Sequence, residues 1–347
     1  MFVDYAKADQ ILGRLLDAYR RKEYPYNLPE AIPPQAPKNL PASLVWGSRE
    51  HALFLFTLCY WMRGGIESTT AAHQLTRLYE ADHSIFLPES EPNLVAAELT
   101  ERFKAVGLGF NSKQIGELWK DNLARISARW NGDPRTIFSS VITYEEACCR
   151  VQNKKRRGFR GFQEKMVSML IYFYMDAGIV DRWNFPIPVD FHALRTLFAH
   201  EIMIADWNES GKNGYYTKPI LAAARKLFQD YSANNNVDPV VLCEAVWLYS
   251  GLMCDKHPGN ISIVGEKGKG KKKKKRKGRK TKIVPIPRWV SAAQTRAYKK
   301  TCAFCVIQDT CRWCVPSAEY YVGGRIVLRG ERDAPPGCTQ PLFPIIS

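Results

Sequence analysis

The sequence predicts a mainly α-helical protein, and three observations carry that expectation. Apolar residues recur at helical spacing in one segment after another between residues 6 and 252. Short polar or glycine-bearing turns separate those segments, and no strand-like alternation persists through the same stretch. Hydrophobic residues make up 46% of the 347, ample for a buried core in one large or two modest domains.

The elements follow in order. Residues 6–22 show helical periodicity and end in a cationic turn, which the helix dipole favours. The proline-rich run 28–41 reads as an extended linker. An apolar helix from Ser48 to Met62 runs into Arg63-Gly64-Gly65, and the next helix opens near Glu67-Ser68-Thr69, which supply N-cap chemistry. Further helices fit 94–106, 112–130, 143–153, 163–176, 190–201, 217–231 and 239–252. A proline-flanked, strand-like run leads up to Asp190. The chain end differs: β-favouring residues surround Gly323-Gly324 in 317–330, the pattern of a short two-residue hairpin.

The N-terminus has no apolar signal core, and the apolar run at 52–62 is far too short to span a bilayer. An intracellular, reducing setting follows as the expectation: cytoplasm or nucleoid, or the nucleus in a eukaryote. The net charge of +16 points to a polyanionic partner, but residues 267–282 alone hold twelve Lys or Arg, and without them the charge falls to +4. We read 266–282 as a disordered basic insertion that strengthens salt-dependent contact with nucleic acid without identifying it.

The segment from Gly158 to His200 holds the most chemistry. Gly161 breaks a turn at the head of an apolar helix, where outward-pointing N–H groups and the helix dipole favour an anion such as a phosphate. Lys154, Lys155, Arg156, Arg157 and Arg160 crowd that turn, and a solvated basic face is the plainer alternative. Lys165 follows in the first turn of the helix, and Asp190 stands 25 positions later at the start of another. Either has an ordinary role open to it, as a solvated lysine and as an N-cap. Together, a desolvated amine and an ionised carboxylate suit attack at a sugar carbon, the amine giving a Schiff base and the carboxylate steadying positive charge.

Ten cysteines need explaining, and four of them fall within Cys302 to Cys314. Cys302, Cys305 and Cys311 are spaced C-x2-C-x5-C, and Cys314 adds a further C-x2-C. Thiolates so close together indicate a metal. Zinc is the plainer candidate, but the two pairs are tight for a zinc ribbon, whose pairs lie about 15–20 residues apart. Cys59, Cys148, Cys149, Cys243 and Cys338 read as buried apolar thiols. His51, His73, His83 and His257 show no metal spacing, and His192 and His200 are expected in packing roles. Tyr60, Trp61, Trp183 and Phe185 read as core aromatics before they read as stacking platforms for a base.

Several of these motifs together resemble the helix-hairpin-helix DNA glycosylases, especially the endonuclease III branch. FRGFQEK at 159–165 is similar to that family's hairpin ending in its catalytic lysine, and PVDFHALRTL at 188–197 to the helix entry bearing its catalytic aspartate. The stretch 103–134, with GLGFNSK at its turn, is similar to the helix pair ahead of the hairpin. The resemblance runs from about 48 to 314 in the family's motif order.

It implies a two-lobed fold, with a helical barrel lobe at 48–187 and a second lobe from 1–47 plus 188–347 that carries a C-terminal iron–sulfur loop. Lys165 and Asp190 would then face one cleft. The implied activity is base-excision repair: a damaged or modified base is flipped from double-stranded DNA, its N-glycosidic bond is cleaved, and Lys165 adds a β-eliminating lyase step. Gly161, Phe162, Gln163, Arg160 and Arg157 would hold the DNA backbone, and the protein would act as a monomer. The implied cofactor is a [4Fe–4S] cluster, whose last three ligands match Cys302, Cys305 and Cys311. Thr295 stands where the family's spacing puts the first cysteine, so the remaining ligand is Cys254, upstream of the basic insertion, or its rival Cys314.

The chain departs from the family in two places. Gln163 replaces the hairpin's second glycine, and no Gln stands near Arg63 to Gly65, where the family's hole-filling glutamine falls. Arg63 or a neighbour is expected to take that place. A glycosylase without lyase activity, a non-catalytic DNA-binding protein with a structural cluster, and a zinc-bearing adaptor are the alternatives. The identity of the base is open.

Overall fold

A computed structural model describes residues 1–62, 66–108, 114–141, 143–152, 158–204, 218–254, 261–262, 304–311, 319–322 and 325–328. Among them the protein is mainly helical, as its periodicity predicts. The helices are α1 (Tyr5–Arg20), α2 (Arg49–Trp61), α3 (Ser68–Ala81), α4 (Ala96–Ala105), α5 (Ile115–Trp130), α6 (Tyr144–Val151), α7 (Glu164–Asp176), α8 (Phe191–Ala199), α9 (Lys218–Asn234) and α10 (Pro239–Tyr249). No helix among the described residues is long and apolar enough to cross a membrane.

The chain divides into two compact units: a central one of 32–188 and 228–244, and a terminal one of 1–31, 189–227 and 245–347. The expected boundaries differ at two places. Residues 32–47 and 228–244 belong with the central unit rather than the terminal one. The reason is a buried polar network: Gln35 Nε2 donates to Asp176 (2.9 Å) and meets the Tyr172 hydroxyl, which donates to Glu244 (3.1 Å). Gln35, Asn39 and Leu40 are buried, so the proline-rich run is a packed strap with a short 3-10 turn at Pro37–Asn39, not an extended linker. Burial also raises the Asp176 carboxyl above the usual range. We expect Tyr172→Phe to cost about 1–3 kcal/mol, read by urea unfolding, because two buried partners lose one shared hydroxyl.

In the central unit, α2 is buried all round from His51 to Trp61, as a helix apolar on every face must be, and it packs against α7. Phe56 of α2 stacks on Phe162 (4.9 Å between ring centres) and meets Phe159 edge-on (4.6 Å). Helix α4 ends at Gly107, whose φ of +81° is left-handed and favours glycine. Helix α5 then crosses α4 closely: a Cβ at Gly116 would lie 1.9 Å from the Ala96 carbonyl oxygen.

In the terminal unit, Asp4 caps α1 by accepting from Lys7 N–H at 2.9 Å, and Ile11, Leu12, Leu15 and Leu16 form its buried face. An unexpected two-residue ladder joins β1 (Phe2–Val3) to β2 (Met203–Ile204). Residues 181–189 form no strand; Phe185, Ile187 and Val189 of that run are buried without a ladder partner in the described sheets. A π turn, Ser250–Cys254, follows α10. Toward the chain end β3 (Ile261–Ser262) pairs parallel with β4 (Glu319–Val322), and β4 pairs antiparallel with β5 (Arg325–Leu328). The basic insertion lies outside the described residues.

Candidate active site and cysteine loop

The turn that leads into α7 is built from beneath. Helix α6 starts at a capping box of Thr143 and Glu146, and its last residues pass directly against Gly158 and Phe159. A Cβ at Gly158 would sit 2.0 Å from the Gln152 carbonyl oxygen, so only glycine fits there. We therefore expect Gly158→Ala to destabilise the protein by about 2–4 kcal/mol, measured as a fall in the urea midpoint. Asn122 of α5 clamps the turn from the side, accepting from Arg160 N–H at 2.8 Å and donating to the Arg160 carbonyl at 3.1 Å. Arg125 donates to the Gly158 carbonyl. Neither Asn122 nor Arg125 was singled out in the sequence; a buried asparagine in mid-helix was the one available signal.

Gly161 is exposed with φ +89°, the left-handed region that favours glycine. Gln163 holds the N-cap position of α7 with φ −107° and ψ 176°, extended backbone that any residue adopts. A residue with a side chain at this position therefore carries no backbone cost. Gln163 is exposed and makes no side-chain cap bond. The Phe162 side chain lies in the aromatic core against Phe56 and Phe159. The half-exposed Arg160 guanidinium lies 3.6 Å from Asp121, which Arg125 also pairs at 3.1 Å. Arg63 and Arg157 lie outside the described residues.

Lys165 takes the second position of α7 and is half-buried. Next to it, the Cys59 thiol of α2 is fully buried and donates to the Met166 carbonyl at 3.3 Å. Burial pushes that thiol well above its ordinary range, and the charge of Lys165 pulls the other way.

Asp190 belongs to the terminal unit. It is buried and caps α8, its Oδ1 accepting from His192 N–H (2.9 Å) and Ala193 N–H (3.3 Å). Its surroundings are fixed by a second set of buried polar groups. Ser250 of the π turn lies 3.2 Å from His192 Nδ1 and accepts from Arg195 at 3.3 Å. Gly251 passes so close that an added Cβ would touch the His192 ring at 3.6 Å.

Of the expected cluster ligands, Cys305 and Cys311 are described. Cys302 and Cys314 lie outside the described residues, as does the side chain of Cys254, whose backbone ends the π turn. The loop between Cys305 and Cys311 turns once through Gln308–Thr310. Arg14 of α1 braces it, donating to both carboxylate oxygens of Asp309 (2.9 and 2.8 Å) and to the Val306 carbonyl. That pairing lowers the Asp309 carboxyl. Burial raises the Cys305 thiol, while the Tyr249 hydroxyl, the Ile307 amide and the Arg14 charge oppose it. An amide and a hydroxyl aimed at one sulfur suit a thiolate bound to a metal, so these residues fit an iron–sulfur or zinc ligand. Nothing in the sequence marks Arg14 or Tyr249 for this role.

Several remaining expectations can be placed. Tyr60, Trp61 and Phe185 are core residues, and Cys59, Cys148 and Cys243 are buried. Cys149 is exposed, because α6 turns Cys148 inward and the next residue lies about 100° further round. Cys338 lies outside the described residues. His51 is buried on α2, accepting from Gly47 N–H at 3.0 Å, and burial lowers its pKa to about 4. The unfolded chain takes up this proton near pH 6.5 and the folded one resists it to about 4, so the stability is complete above pH 6.5 and drains as pH falls toward 4. Urea unfolding at pH 7.5 and 5 is expected to show that loss, and His51→Gln to reduce it.

Comparison with protein-family models and with curated protein sequences returned no match for this chain.

Proposed function

We propose that this protein is a DNA glycosylase with an associated lyase activity, acting on a damaged or modified base in duplex DNA. The observation that carries the reading is the junction at 160–165. An exposed left-handed glycine, anchored from below by Phe162 and from the side by Asn122, opens straight into a helix with an amine in its first turn. Such a turn presents backbone N–H groups to a phosphate, and Arg160 adds a cation at its edge. Asp190 is the second support: a carboxylate held buried and oriented by two amides, as a group that stabilises charge must be held before the substrate arrives.

In this mechanism the Lys165 amine attacks C1′ of the sugar through its nitrogen lone pair. The new N–C1′ bond forms as the bond from C1′ to the base breaks, and the base leaves with one of the two amine protons. Asp190 steadies the positive charge that develops on the sugar ring. The bond from C1′ to the ring oxygen then breaks as the Lys165 nitrogen passes its remaining proton to that oxygen, giving the ring-opened Schiff base. Loss of a C2′ proton and departure of the 3′ phosphate nick the strand, and water releases the lysine. A [4Fe–4S] cluster, held by Cys302, Cys305, Cys311 and either Cys254 or Cys314, would supply structural order to the loop rather than hydrolytic chemistry.

A panel of duplexes, each with one oxidised pyrimidine, oxidised purine or non-lesion modified base, tests the reading. Release of one class of free base, seen by mass spectrometry, supports it. Release from none of them, with the duplexes still bound, favours the non-catalytic DNA-binding alternative.

A further inference from the structure

We infer that Tyr249 is a hydrogen-bond donor shared between the Cys305 sulfur and His200, so that His200 governs how strongly the sulfur is held. The inference rests on the reading of Cys305 as a cluster ligand.

The geometry is a chain of four side chains, with His200 and Tyr249 buried and Cys305 and Thr310 partly so. Thr310 Oγ1 donates to the Ile307 carbonyl at 2.9 Å, so its oxygen is left to accept. His200 Nδ1 lies 2.8 Å from that oxygen and must therefore carry the ring proton. His200 is 1% exposed, and burial lowers its pKa to about 3, so the ring is neutral and Nε2 presents a lone pair. The Tyr249 hydroxyl lies 3.4 Å from Nε2 and 3.2 Å from Cys305 Sγ. One hydroxyl proton thus faces two acceptors. A sulfur bound to a metal carries no proton of its own to give Tyr249, so it competes with His200 for this one. Arg14 of α1 braces the loop that carries Cys305 and Thr310 through Asp309.

A hydrogen bond to a ligating sulfur favours the reduced, more negative cluster, so its loss lowers the reduction potential and its strengthening raises it. Two variants separate the roles. Tyr249→Phe removes the proton. His200→Asn keeps a donor for Thr310 but removes the competing lone pair. The full-length protein, isolated without oxygen, is assayed for iron and sulfide, and its potential is read by voltammetry on a DNA-free electrode. The expected shifts have opposite signs, downward for Tyr249→Phe and upward for His200→Asn, with iron content unchanged. Iron–sulfur stretching frequencies from resonance Raman should rise in the first variant and fall in the second. Shifts of the same sign, or none, overturn the assignment while leaving the cofactor reading intact. Absence of iron and sulfide from the unmodified protein overturns the cofactor reading, and the assignment with it.

Discussion

Replacing Lys165 by Ala is expected to abolish strand nicking while leaving duplex binding in place. Alanine is the strongest helix former, and the exchange sits in the first turn of α7, where it leaves the buried face from Met166 to Met175 intact. The fold should survive. The chemistry should not, because nothing else described in that first turn offers an amine that could form a Schiff base: Glu164 is a carboxylate and Gln163 an exposed amide. Deleting a covalent nucleophile costs about 10⁴-fold or more in single-turnover rate. Nicking within tenfold of the unmodified protein, at saturating DNA, would remove Lys165 from the mechanism. A variant that still frees the base but no longer nicks would leave a glycosylase whose lyase step alone depends on the lysine.

Asp190→Asn separates the cap from the chemistry. Asparagine caps a helix about as well as aspartate, so the bonds to His192 and Ala193 N–H persist and the melting temperature should move little. The negative charge is lost, and with it the stabilisation of a positively charged sugar; base release is expected to fall by about 10²–10³-fold. Asp190→Ala gives the complementary result, losing turnover and about 1 kcal/mol of stability together. If Asp190→Asn turns over normally, Asp190 is only a cap.

What could be read directly from the chain was local. The ten described helices start and end within a few residues of the apolar repeats that announce them, because period and caps lie within one turn of each other. The expected glycine turn at Gly161 lies immediately before α7 for the same reason. What escaped was decided at long range. Composition makes residues 28–41 extended, yet Gln35 is buried by partners 137 and 141 positions away. The two-unit division follows that network, and no run of sequence marks residues 228–244 as belonging with α7.

The site divides in the same way. The positions of Lys165 and Asp190 at helix starts were legible, because turn chemistry flanks each of them. The burial of the Phe162 side chain was not legible, because Phe56, which stacks on it, lies more than a hundred residues upstream. Asn122 reaches Arg160 across 38 positions, and Arg14 reaches Asp309 across 295. Their roles appear only once the chain is folded.

Borohydride trapping bears most directly on the central claim, that Lys165 bonds to the sugar of a processed nucleotide. The unmodified protein is incubated with the duplex panel in the presence of borohydride, and any adduct is digested and mapped by mass spectrometry. The account predicts a reduced amine joining deoxyribose to Lys165, formed with the same duplexes that lose a base. An adduct at another amine, or none with a duplex whose base is released, would contradict it.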